Sequence, residues 1–395
     1  MEDKWKDPKI VIGNVAEGDC YYPRNEIVEQ IWNELEKGSS ILIAAPRRVG
    51  KTSVMEFMKD AEKENYKLIF SNIQGIDSAD KFYERIYTLL LNCLNKSNKA
   101  KKWFKNFLKS KSITEITLNG LKFERKPTDF LKETNDLLVE INNNKETGKI
   151  VLLIDELPEV LFKINKTNSE NAISILKNLR HWRQQPEMNK KVQFVLAGSI
   201  GIHYAVNAIE QRNSDLNDLA TIDFPPLLFS EVCTYIDWAT NTATIHYSEE
   251  LKNYLANKIA YYVPFFINIM LDEINKEAKK NNNPNISTKD IDKAFDKIVK
   301  NSDHFEDWKN RLKKYMPPGN FNFVNEILTH AAHRDKISLQ EIYDKAVKYN
   351  KTADYMDFIH DLEKDGYITE TNEKYVFISP FLSAFWKKNN PVYNG

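Results

Sequence analysis

The chain has 395 residues, with 56 Lys plus Arg against 56 Asp plus Glu, 42% hydrophobic residues and 12% aromatic residues. This length accommodates two or three domains with cores of their own, and the balanced charge gives no global bias toward nucleic acid or an anionic membrane. Cys20, Cys93 and Cys233 lie too far apart to suggest a metal site or a disulfide framework. The N-terminus has no secretory apolar segment and no run nears the ~20 apolar residues of a membrane span, so a cytoplasmic protein with no membrane partner is expected.

In chain order, the pattern predicts a first helix at about Asn25 to Glu36, then an apolar strand, Ile41–Ala45. The strand runs into Pro46-Arg47-Arg48-Val49-Gly50-Lys51-Thr52-Ser53, and a helix is predicted from Lys51 to about Asn65. Strand, tight loop and helix in this order form a phosphate-binding loop at a helix N-terminus. Residues 45–53 cradle the phosphates, with the main-chain N–H groups of all but Pro46 pointing inward, Lys51 brings positive charge to the same oxygens, and the Thr52 hydroxyl is placed to hold magnesium. The usual pattern opens on Gly; Ala45 stands there, and Ala tolerates the strand exit while its φ stays negative.

A second strand is predicted at Lys67–Ile73 and a helix at Ser78–Asn95. Residues 96–126 then carry ten basic side chains, nine Lys and Arg125, against Glu115 and Glu124. Trp103, Phe104 and Phe107 are interleaved with them, and residues 116–123 read as a hairpin about Asn119-Gly120. The segment reads either as a phosphate-contacting insert or as an amphipathic helix and hairpin packed on the domain with solvated lysines; the second reading is favoured.

Ile150–Ile154 is an unbroken apolar run ending in Asp155-Glu156. Such a run suits a strand buried on both faces of a parallel sheet, and carboxylates at its C-terminal end lie where open α/β sheets bind ligands. Asp155 is placed to hold magnesium through water, and Glu156 to act as general base toward an attacking water. A helix follows at Asn171–Trp182, then a fourth strand at Val192–Ala197 ending in Gly198-Ser199, a helix at about Gly201–Glu210, and a fifth strand at Leu219–Phe224 stopped by Pro225-Pro226. Alternating strands and helices imply a parallel sheet with right-handed crossovers, hence an α/β domain over about residues 1–226.

From Leu227 the period becomes helical: Ser230–Thr240, Ser248–Tyr261, Pro264–Lys280, and a helix from Ser287 with Asp290 as capping-box partner. Tyr315-Met-Pro-Pro-Gly-Asn320 reads as a breaker-rich linker. Helices at Phe323–His333, Ser338–Tyr349 and Ala353–Asp365 then precede a hairpin, Tyr367–Thr371 and Lys374–Ile378, turning at Asn372-Glu373. This describes a helical lid over 227–314 and a winged-helix domain over 315–395.

Taken together, these motifs resemble the archaeal-type P-loop ATPases, near the STAND and origin-recognition-like branches of the AAA+ class, over nearly the whole chain. Besides the loop and Asp155-Glu156, the resemblance rests on Tyr22-Pro23-Arg24-Asn25-Glu26, the segment Ala197–Gly201, Pro225-Leu227-Ser230-Glu231, Val263-Pro264-Phe265 and the closing aromatic segment Pro380–Trp386. The expected sheet order, counting its strands along the chain, is 5-1-4-3-2. The resemblance implies ATP and Mg as cofactors, Ser199 as a sensor of the γ-phosphate or attacking water, Pro264 against the adenine face, and Arg212 as an arginine finger. Arg212 also suits a solvated position near a helix C-terminus, and that reading is preferred; Arg180 and Arg183 are weaker finger candidates. The helix at Pro264–Lys280 holds no arginine and Ile200 follows Ser199, where related proteins carry an arginine. Both departures favour slow turnover.

The function expected is an ATP-binding, slowly hydrolysing switch, coupling nucleotide state to a protein partner or to self-assembly through its lid and winged helix. The alternatives are a nucleic-acid-binding, initiator-like or loader-like ATPase and a regulatory scaffold that binds nucleotide without turnover. Asp354, Asp357, Asp361, Glu363 and Asp365 crowd the third helix of the winged helix against Lys364. Such a helix meets DNA phosphates with repulsion, which ranks a protein partner above nucleic acid.

Overall fold

The computed structural model describes residues 5–393 except 62, 96–100, 118–119, 125–128, 200–201, 203–204, 207–208, 210–213 and 302. The chain forms two compact units. One, the sheet unit, comprises residues 24–45 and 51–224; the other, the helical unit, comprises residues 1–23, 46–50 and 225–395.

The sheet unit opens on α1 (Asn25–Lys37), which buries Ile27, Ile31 and Leu35 at helical spacing and ends at Gly38, whose φ of 92° suits glycine. Strands β1 (Ile41–Ala45), β2 (Tyr66–Asn72), β5 (Lys149–Asp155), β6 (Val192–Ser199) and β7 (Ala220–Thr221) form one parallel sheet. Its order is β2-β5-β6-β1-β7. The labels skip because β3 (Ile113–Thr117) and β4 (Gly120–Phe123) form a separate hairpin. Counted over the five sheet strands alone, the arrangement reads 5-1-4-3-2.

Burial on both faces explains the strand sequences: Ile150 to Ile154 are all at most 2% exposed, and Ile41, Leu42 and Ile43 at most 1%. Helices α2 (Lys51–Asp60), α3 (Ala79–Asn95), α5 (Phe130–Asn143), α6 (Leu157–Thr167) and α7 (Ser169–Gln184) supply the crossovers and cover. Trp182 of α7 stacks on Phe194 of β6 with centroids 6.2 Å apart, and its indole N–H donates to Asn135 Oδ1 at 2.6 Å. That bond leaves the largest side chain of this core without an unpaired polar atom.

Several boundaries differ from the sequence expectation. The helix after the loop stops at Asp60 instead of Asn65, because Asn65 takes a left-handed φ of 64° to turn into β2. The fifth strand keeps only Ala220–Thr221 of the expected Leu219–Phe224, with the Ile222 N–H making the last bond to β1, to Leu42 O at 3.1 Å. Helix α6 was not anticipated; it begins at Leu157-Pro158, where a first-turn proline loses no hydrogen bond. The helix expected at Gly201–Glu210 lies largely outside the described residues.

The basic insert contains α4 (Lys101–Ser110) and the β3–β4 hairpin. Phe104 and Phe107 are each 4% exposed, and the Trp103 ring lies 5.8 Å from Phe107. Lys111 Nζ lies 2.6 Å from Glu133 Oε2, and Lys122 pairs with Glu115. The aromatic side of α4 therefore faces the core, as the packed reading of this segment requires.

The helical unit contains α8 (Phe229–Thr240), α9 (Glu249–Ile259), α10 (Pro264–Lys280), α11 (Thr288–Lys300) and α12 (Asp303–Tyr315), followed by α13 (Pro318–Arg334), β8 (Ile337–Ser338), α14 (Leu339–Lys348), α15 (Tyr355–Lys364), β9 (Ile368–Thr371), β10 (Lys374–Phe377) and α16 (Pro380–Asn389). The Ser287–Asp290 capping box forms as expected. The stretch expected as a linker, Tyr315–Asn320, is instead mostly helix. It ends α12 and starts α13, with Pro317 at the N-cap and Pro318 in the first turn, so these prolines initiate a helix.

Both hairpin turn residues, Asn372 and Glu373, have positive φ (51° and 60°), which matches the twist of β9 and β10. Strand β8 adds a third antiparallel strand, in the order β8-β10-β9. Phe266 of α10, Phe305 of α12 and Phe381 of α16 share one aromatic core; Phe266 and Phe381 stack at 5.4 Å with planes 6° apart. Residues before and after the 314/315 position are thus packed into one unit. Among the described residues no helix is long and apolar enough to cross a membrane.

Candidate nucleotide site

Three neighbouring strands end together at the C-terminal edge of the sheet. Ala45 ends β1 and pairs in register with Ser199, the last residue of β6. On the other side of β6, β5 ends at Asp155. The loop 46–50 and helix α2 follow β1 directly. Backbone amides, a lysine, a threonine and a carboxylate are thus delivered to the strand ends, where αβ crossovers leave room for a ligand.

The loop owes its curl to two left-handed residues, Arg48 (φ 68°) and Gly50 (φ 101°). Alternation of right- and left-handed residues turns successive N–H groups to one side, the geometry of an anion nest. Glycine adopts such a φ freely, whereas at Arg48 it costs about 1 kcal/mol that neighbouring contacts must offset. Lys51 is only 6% exposed, and its Nζ donates to Ala45 O at 2.7 Å, joining the residues on either side of the loop.

The Thr52 hydroxyl donates to Asp155 Oδ2 at 2.6 Å. The other oxygen of that carboxylate, Oδ1, accepts the Glu156 N–H at 2.9 Å. Asp155 is 2% exposed, so these bonds stabilise a buried carboxylate that would otherwise be costly. A hydroxyl and a carboxylate converging in this way form a hard oxygen donor pair, which fits magnesium better than softer metals. Glu156 itself has φ 63° and ψ 31°, left-handed and unusual for a glutamate, at the N-cap of α6. Strain of this kind collects at functional positions. Gly198, one residue before the end of β6, is required by packing: a β-carbon built there would lie 2.3 Å from Pro158 Cδ.

The remaining expected residues are placed as follows. Ser53 continues α2, and Val49 is 1% exposed. Pro264 occupies the first turn of α10 in the helical unit. Arg212 lies outside the described residues. The weaker finger candidates are both engaged in ion pairs: Arg183 donates to both carboxylate oxygens of Asp218 at 2.8 and 2.9 Å, and Arg180 to Asp215 at 3.0 Å. Arg47 and Arg48, read from sequence only as loop members, have side-chain partners in the helical unit, Asp307 and Phe265. Nothing in the local sequence signals those two partners, which lie more than two hundred positions away.

Among solved structures, the chain is similar to the Walker-type ATPase PABY2304 of Pyrococcus abyssi, at 15% identity and a TM-score of 0.61, over 94% of this chain and 98% of that one. It is also similar to the ORC2 protein of Aeropyrum pernix, solved as ADPNP–ADP complexes, at 11% identity and a TM-score of 0.54, over 96% and 97% of the two chains. These likenesses show the fold, that of the P-loop NTPases. No curated protein sequence matches the chain. The model of the AAA-like domain matches residues 13–293, and the chain therefore belongs to the AAA-like domain family.

Proposed function

We propose that this protein binds ATP and hydrolyses it slowly, acting as a molecular switch that couples nucleotide state to a protein partner or to self-assembly. The observation that carries this reading is the bond from Thr52 Oγ1 to Asp155 Oδ2, 2.6 Å long. It joins the phosphate loop to the end of β5, so that phosphate contacts and metal ligands share one edge of the sheet.

In this reading the N–H groups of the nest and Lys51 bind the β- and γ-phosphates. Thr52 and Asp155 would hold magnesium, which supplies charge neutralisation on the phosphate oxygens when bound. Glu156, next to Asp155, accepts the proton of the attacking water. Ser199, beside Ala45 in register, orients that water or the γ-phosphate. Pro264 packs on adenine, and Arg212 serves in trans in an assembly. The nucleotide complexes of the Aeropyrum pernix protein lend support, because the same fold holds adenine nucleotides there.

We read α13 to α15 with the β8–β10 sheet as a winged helix used for protein contact rather than groove reading. Support comes from the acidic composition of α15, with Asp357, Asp361 and Glu363 against Lys364, and from the core-facing aromatics of α4. The deciding experiment measures ADP and ATP binding and phosphate release for the wild type, Lys51→Ala and Glu156→Gln. The reading expects binding lost in the first variant, and binding kept with turnover lost in the second. Unchanged phosphate release by Glu156→Gln refutes the base assignment.

A further inference from the structure

Three consecutive residues of the loop are each held by a different element of the helical unit. The Pro46 ring lies against Gly366, where a β-carbon would come within 2.9 Å of Pro46 Cβ. Arg47 Nη1 donates to Asp307 Oδ2 of α12 at 2.8 Å. The Arg48 guanidinium lies over the Phe265 ring of α10, 4.4 Å from its centroid. Gly13 borders the same guanidinium, with space for a β-carbon only 3.5 Å from Nη1.

Arg48 is also the one non-glycine residue of the loop in the left-handed region, at φ 68°. An L side chain rarely adopts that conformation without outside support. Its Nε is buried with no hydrogen-bond partner among the described residues, so the aromatic face supplies its compensation. Burial and the neighbouring charges of Arg47 and Arg311 oppose the cation, while Asp307 favours it. The guanidinium therefore depends on Phe265 and Asp307 together.

We propose that Phe265 and Asp307 are positioning residues for the nucleotide site: by clamping Arg48 and Arg47 they hold the phosphate loop in the left-handed turn that aims its N–H groups at phosphate. This rests on the nucleotide reading above and adds its regulation. Nucleotide affinity depends on α10 and α12 being seated on the loop, and by linkage bound nucleotide stabilises that seating. A partner that pulls on either helix then lowers affinity without touching the nucleotide.

The test uses the turn's own chemistry. ADP affinity is measured by calorimetry for the wild type, Phe265→Leu, Phe265→Trp, Asp307→Asn, Arg48→Gly and the Phe265→Leu/Arg48→Gly pair. Circular dichroism and the unfolding midpoint without nucleotide confirm that each variant is folded. Phe265→Leu is expected to weaken ADP binding about tenfold and Asp307→Asn less, while Phe265→Trp, which keeps a cation-binding face, stays near wild type. Arg48→Gly removes the strain along with the clamp, so adding Phe265→Leu to it lowers ADP affinity by less than about twofold, against about tenfold when Arg48 is present.

Wild-type affinity in Phe265→Leu overturns the proposal. So does a double variant about tenfold weaker than Arg48→Gly alone, which is the pattern of a purely structural phenylalanine. If the wild type binds no ADP and Lys51→Ala matches it, the nucleotide reading itself fails and the clamp falls with it. Hydrogen exchange at residues 46–50 without nucleotide gives a second readout. Faster exchange is expected in Phe265→Leu, and an unchanged rate counts against the clamp.

Discussion

Gly198 of β6 faces Pro158 of α6 at a separation that excludes any side chain, with a built β-carbon only 2.3 Å from Pro158 Cδ. Pro158 lies two residues after Glu156, so this contact fixes the segment that carries the candidate base. Gly198→Ala must push α6 away. A loss of about 1–3 kcal/mol is expected, as for overpacking elsewhere. Phosphate release should fall by more than ADP affinity does, because Glu156 moves while the loop does not. Urea unfolding and steady-state turnover check both parts.

Thr52 is tied to Asp155 by its hydroxyl alone. Thr52→Val keeps the shape and removes the donor, leaving one buried carboxylate oxygen short of a partner. The expected cost is about 1–3 kcal/mol of stability. Magnesium-dependent ATP affinity should fall at least about tenfold. Magnesium-independent ADP binding should change less. Titrations with and without magnesium separate the two effects, and an equal loss in both argues against a metal role for Thr52.

The two faces of α4 should behave oppositely. Phe104 and Phe107 are buried, so truncating either to alanine is expected to cost about 3–5 kcal/mol and to lower the unfolding midpoint. Lys102→Glu and Lys105→Glu alter exposed positions and should leave the midpoint nearly unchanged. A salt-dependent DNA affinity that drops in the charge-reversed variants would instead favour the nucleic-acid alternative.

Asp361 of α15 has its carboxyl pushed up to about 6 from an ordinary 3.8, because burial penalises its charge more than Lys364 relieves it. A carboxyl raised in the folded state favours the protonated form. Its contribution is fully present below about pH 4 and is lost as pH rises through about 6. Asp361→Asn should therefore stabilise the protein on the order of 1–3 kcal/mol above about pH 7, with the gain vanishing near pH 4. Urea midpoints across that range test the sign.

The local chemistry of the site was legible in the residues themselves. Ile41–Ala45 and Ile150–Ile154 read as buried strands because continuous apolar runs have few other stable solutions, and Gly50-Lys51-Thr52 between a strand and a helix marks a candidate phosphate-binding loop. Ser287 with Asp290 announced a helix start, and Asn372-Glu373 a hairpin turn, since both are chemistry within four residues. Signals that act both ways were harder to read. Pro317 and Pro318 break a helix or begin one, and only packing on either side decided that they begin α13. Only the folded chain could show that Thr52 donates to Asp155, that Gly198 has no room beside Pro158, and that Arg47 and Arg48 rest on Asp307 and Phe265. A sequence fixes which groups a segment carries and what its own backbone prefers. Which distant groups meet depends on how whole helices and strands share their buried faces, and no local pattern encodes that.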